Sequence, residues 1–90
     1  MFTIRFSPAR DHDPALVAAA AEYRRLWEAD GQRIVACLER LTGLRFAETS
    51  VEALVHEGVS TSHPLRLRAS YAAETKAGTL VHELCHRLLS

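Results

Sequence analysis

Little in this chain can be laid to covalent staples or to bulk charge. Its two cysteines, Cys37 and Cys85, are too few for a disulfide framework. Both sit among apolar residues, where a free thiol behaves as a small hydrophobe. Neither sign of charge is in excess, with eleven Lys and Arg against eleven Asp and Glu, so no net field draws the chain to nucleic acid or a membrane surface. No basic segment followed by an apolar stretch opens the chain, and no apolar run is long enough to span a bilayer. The expectation is a cytoplasmic protein without nucleic-acid or membrane partners. Internal repeats are missing too, and the only biased stretch is Ala18–Ala21, a good helix former.

What is present is an ordinary globular composition, 48% hydrophobic, which excludes intrinsic disorder. At 90 residues a domain buries only about 60% of the surface its unfolded chain exposes. Stability at that size usually draws on a metal, a partner or further chain.

Hydrophobic spacing predicts the order strand, long helix, strand, strand, helix. Phe2, Ile4 and Phe6 alternate with Thr3 and Arg5 over residues 1–6, the period of a half-buried strand. Residues 7–13 form a connection, and Asp13-Pro14 is a helix start, an N-cap acceptor followed by the residue best tolerated at the first helical position. Leu16, Ala20, Tyr23, Trp27, Ile34, Leu38 and Leu41 keep one stripe in phase, so a single helix, kinked or broken at Asp30-Gly31 if anywhere, runs to a C-cap at Gly43. Val51, Ala53 and Val55 mark a second strand, Gly58–Pro64 a turn-rich stretch, and Leu65, Leu67, Ala69 and Tyr71 a third strand with one solvated face. Thr75 is the expected N-cap of the final helix. The fold class is α+β, with both helices able to cover one sheet.

The final helix carries His82-Glu83-Leu84-Cys85-His86. Residues four apart lie on one helical face, so His82 and His86 can aim imidazole nitrogens at one point, at about the 2.0–2.1 Å that zinc requires. Glu83, about 100° round the helix from His82, can take a proton from water without ligating the metal. Zinc brings the pKa of a coordinated water towards about 7. The flanking residues Leu80-Val81 and Leu88-Leu89 are apolar, as a partly buried site helix needs.

Thr79-Leu80-Val81-His82-Glu83-Leu84-Cys85-His86 resembles the active-site helix of the zincin metallopeptidases, whose pattern is His-Glu-x-x-His. The resemblance implies a single zincin-like domain over residues 1–90, in which a long N-terminal helix and the C-terminal site helix pack on a small mixed sheet with an antiparallel edge. It further implies Zn2+ as cofactor, His82 and His86 as metal ligands, Glu83 as general base, and a peptide or protein substrate docked along Leu65–Tyr71 by strand addition. The activity expected is that of a zinc-dependent hydrolase, a metallopeptidase. The alternative is a catalytically inactive zincin-like domain that binds zinc or a protein partner, and a third is an α+β interaction module in which the motif is accidental.

A catalytic zinc takes three protein ligands, and in zincins the third follows the site helix. Leu89 stands where the metzincin extension needs Gly. Three sources are open: chain continuing past Ser90, suggested by a last helix with no encoded stop; an upstream residue among His56, Glu57, His63 and Glu74; or another copy of the chain or the Ser90 carboxylate, four residues on from His86. Cys85 points away from the ligand face and is expected to pack in the core. Arg66 and Arg68 are expected on a solvated face, Tyr23 and Trp27 in the core, and Asp11-His12-Asp13 in a loop that ends in a cap.

Overall fold

The computed structural model describes Phe2–Leu89 and gives the order β1 (Thr3–Pro8), α1 (Pro14–Thr42), β2 (Ser50–His56), β3 (Leu65–Arg68) and α2 (Ala73–Leu89). The three strands form one sheet in the order β1-β2-β3. Both pairings are parallel, with Thr3 opposite Ser50 and Ala53 opposite Leu65. The expected α+β class holds. The expected mixed sheet does not, since every pairing between named strands is parallel.

Alternation makes this a two-layer structure. One face of the sheet supplies Phe2, Ile4, Phe6, Val51, Ala53, Val55, Leu65 and Leu67 to a core completed by Leu16, Tyr23 and Trp27 of α1 and Leu80, Leu84 and Leu88 of α2. The other face presents Thr3, Arg5, Glu52, Leu54 and Arg66 to water. Tyr23 and Trp27 are core residues as their spacing implied, and Cys85 packs against the same cluster. Arg66 is solvated, whereas Arg68 is half-buried with its guanidinium 6.0 Å from the Tyr71 ring centroid.

The helix α1 starts where Asp13-Pro14 predicts, with the Asp13 carboxylate accepting from the Ala15 and Leu16 N–H groups. That cap accounts for Asp11-His12-Asp13. The helix ends on Gly43 in the left-handed conformation, φ 72°, with its N–H donating to the Glu39 carbonyl. Between them α1 is continuous. Gly31 is there for packing, because a β-carbon on it would lie 2.5–2.9 Å from three atoms of the Trp27 indole. Gly31→Ala should therefore lower stability. The gain in helix propensity is about 1 kcal/mol, whereas overpacking a core costs about 1–3 kcal/mol and the indole is too rigid to yield cheaply. Urea unfolding measures this, and a raised midpoint would show that Trp27 does not rest on Gly31.

Two side chains of α1 reach the backbone of β1 and the residue before it: Arg24 donates to the Phe6 carbonyl at 3.3 Å and Gln32 to the Phe2 carbonyl at 3.1 Å. Eight helical residues rise about 12 Å and four strand residues about 13 Å, so the two grips match in spacing.

The link from β2 to β3 is short for a parallel connection. It is possible because the strands overlap over only Ala53–His56 and Leu65–Arg68, and because the chain returns alongside β3. Thr61 forms an antiparallel bridge with Arg66, each N–H donating to the other's carbonyl. The Ser60 hydroxyl accepts from the Arg68 N–H at 3.0 Å, and the Tyr23 hydroxyl donates to the Arg68 carbonyl at 2.8 Å. That bridge is a single residue pair outside β3, and no antiparallel strand joins the sheet among the described residues. The strand expected over Leu65–Tyr71 ends at Arg68, and the outward backbone groups of Arg66 and Arg68 are already bonded.

Candidate functional site

The final helix begins at Ala73, not after Thr75, so Thr75 lies in its first turn rather than at its cap. The Lys76 N–H donates to the Ala72 carbonyl, closing that turn three residues earlier than a cap at Thr75 implies. Leu80, Leu84 and Leu88 bury one stripe of α2 in the core. The opposite stripe is left to Thr75, Thr79, His82 and His86, and both histidines are exposed.

His82 Nε2 and His86 Nε2 stand 3.2 Å apart. Their rings are 4.5 Å apart between centroids and steeply crossed, at 81°. This is the convergence that the i, i+4 spacing implies. Glu83 sits at the border between the two stripes, and although only 8% exposed it lines the same cleft as His82. Among the described residues no hydrogen bond or ion pair ties up its carboxylate.

The cleft has a volume of about 430 Å³. It is lined along α2 by Thr75, Gly78, Thr79, His82 and Glu83, which form its floor, and beside them by Tyr71, Val59 and Ser60. A β-carbon at Gly78 would meet nothing within 4 Å, so the floor there is open. The far end of α2 is anchored by Arg87, which donates to the Ser62 carbonyl at 2.6 Å and to the Glu48 carboxylate at 2.9 Å. The Glu48 backbone N–H and Arg87 together hold that carboxyl below the usual glutamate range.

None of the upstream candidates for a third ligand joins His82 and His86. His56 Nε2 contacts the Val59 carbonyl at 3.0 Å, Glu57 accepts from the Ser70 hydroxyl, and Glu74 is exposed at the start of α2. His63 borders a separate cavity beside Glu48 and Arg87. Among the described residues, no group of three or more His, Cys, Asp or Glu is placed to hold a metal ion. Ser90, whose carboxylate was a further candidate, lies outside the described residues.

Spacing alone did not single out Tyr71, Ser60 or Lys76. For Lys76 a signal existed, since it falls in phase with Leu80, Leu84 and Leu88 and so belongs to the buried stripe. Its ammonium lowers the Glu22 carboxyl below its usual range, by hydrogen bond first and by charge second. Burial raises the Tyr23 phenol above its usual range, which keeps it a neutral donor.

No helix of the described residues is long and apolar enough to cross a membrane. Comparison with protein-family models, curated proteins and solved structures finds no match for the chain.

Proposed function

We propose that the chain carries a zincin-type metal centre and, with its coordination completed, is a zinc-dependent hydrolase of the metallopeptidase kind. The observation that supports this best is the 3.2 Å between His82 Nε2 and His86 Nε2. Two nitrogens bound at about 2.0–2.1 Å to one tetrahedral ion lie about 3.3 Å apart. The two rings already stand near the separation that a zinc ion would impose.

Bound zinc supplies the Lewis acidity that brings water towards deprotonation at neutral pH. Glu83 is the base in this reading. Its carboxylate opens on the cleft beside His82, is committed to no donor among the described residues, and is offset from the histidine stripe. A peptide or protein chain is the substrate class, bound over the floor of α2.

One observation favours a second reading, a zincin-like domain that binds zinc or a partner without turnover: the described residues bring no third ligand to the pair. Zinc titration against a chromophoric chelator tests the metal centre itself. The chain is expected to bind one zinc, and His82→Ala or His86→Ala to weaken it at least about a hundredfold, as loss of half of a two-residue ligand set should. Full stoichiometry at unchanged affinity in both variants would move the metal elsewhere. No binding by the parent chain would leave the motif an accident of an α+β interaction module.

A further inference from the structure

Lys76 breaks two local rules at once. It is a cation in the first turn of α2, where the end of the helix is itself positive. It is also 4% exposed, where an ammonium is expensive to desolvate. Stability alone would put an apolar residue in this stripe, and a broken local rule of this kind is characteristic of functional positions.

Its contacts show what the charge is used for. Lys76 Nζ donates to the Tyr71 carbonyl at 2.6 Å, pairs with the Glu22 carboxylate of α1 at 2.8 Å, and stands 5.7 Å from the centroid of the Tyr23 ring. Tyr23 in turn grips the Arg68 carbonyl. One network therefore ties the end of β3, the bend at residues 69–72 and the first turn of α2 to the middle of α1. Tyr71, in that bend, lines the cleft with Val59 and Ser60.

We propose, resting on the zinc-centre reading above, that Lys76 is a positioning residue: its ammonium pins the Tyr71 carbonyl to Glu22 and so sets the distance between the Tyr71 wall and the His82–Glu83 floor. A methionine could fill the same space but could not hold a carbonyl. The bend has few backbone bonds of its own, with Ala69 N–H donating to the His56 carbonyl and Ala72 accepting from Lys76. The wall is thus held by a side chain rather than by secondary structure. Glu22, 36% exposed, can turn to water when its partner is removed.

The test uses the whole chain with Lys76→Met and Lys76→Arg. Replacing a buried ion-pair member by an apolar side chain of similar volume often leaves stability little changed, provided the partner is resolvated. In Lys76→Met, the amides of residues 69 and 76, which donate to the His56 and Ala72 carbonyls on either side of Tyr71, should exchange at least about tenfold faster while α1 and β2 keep their protection. Zinc affinity should stay within about threefold, because both ligands lie farther along the same helix. With zinc-loaded protein and a fluorogenic peptide pool, KM should rise about tenfold with a smaller change in kcat, since the displaced wall contacts substrate. Lys76→Arg keeps a donor and should recover most of the loss. Unchanged exchange at residues 69 and 76, or loosening spread evenly over α1 and β2, would overturn the proposal. Failure of the parent chain to bind zinc or cleave peptide would sink the reading on which the proposal rests, and the exchange measurement would still decide whether Lys76 holds Tyr71. If Lys76→Met does not fold, Glu22→Gln removes the charge partner instead and is read at the same residues.

Discussion

Glu83→Gln is expected to leave the fold and zinc loading intact and to lower zinc-dependent peptide hydrolysis by about 10²–10⁴-fold, the usual contribution of a positioned proton acceptor. The reasoning is subtractive. The amide has nearly the shape of the carboxylate, and no donor among the described residues depends on that carboxylate, so little structure is lost with the charge. What is lost is the ability to take a proton from water beside His82. The measurement is kcat/KM on zinc-loaded protein, with zinc content determined on the same samples. Retention of the full rate in Glu83→Gln would exclude Glu83 as the base even if zinc occupies the histidine pair. Loss of zinc in parallel with the rate would mean that Glu83 is a ligand.

Leu84→Ala should have the opposite profile. Leu84 lies between the two histidines in sequence but on the far side of α2, 0% exposed in the core. Truncating a buried leucine costs about 2–5 kcal/mol, against a total of about 5–15 kcal/mol for ordinary domains. In a 90-residue chain that is a large fraction of the whole. Guanidinium unfolding should show a sharply lowered midpoint, whereas His82→Ala on the exposed stripe should move it by no more than about 0.5 kcal/mol. A cost for Leu84→Ala below about 1 kcal/mol would mean that α2 does not pack through this stripe.

The two variants together probe the division of α2 into a core face and a cleft face, and that division was legible in the sequence. So were the limits of α1, because Asp13, Pro14 and Gly43 act through their own backbone and need no distant partner. Strand direction was not legible. Alternation in Val51–Val55 and Leu65–Leu67 says that one face is buried, but not which neighbour a strand meets or which way it runs. The return of residues 59–61 along β3 depends on hydrogen bonds to Arg66 and Arg68 that leave no mark on hydrophobic period. The start of α2 was misplaced for a similar reason. Thr75 offers a local cap, but Lys76, Glu22 and Tyr71 set the entry to the helix from 54 residues apart in the chain. In the site itself, the His82, Glu83 and His86 arrangement was readable because it is local to one helix. Its walls were not, since they come from two loops.

The grips of Gln32 and Arg24 on the carbonyls of Phe2 and Phe6 bear on how this protein behaves in a crowd. A parallel sheet of three strands has two rims, and a bare rim is a template on which a second molecule can add strands and begin a fibril. Here side chains of α1 occupy two carbonyls along one rim, and at the other Thr61 already pairs with Arg66. Covering the core and preventing fibril growth are thus the work of the same helix. Any lesion that lifts α1 from β1 exposes apolar surface and a sticky rim together, so partial unfolding and self-association would set in as a single event.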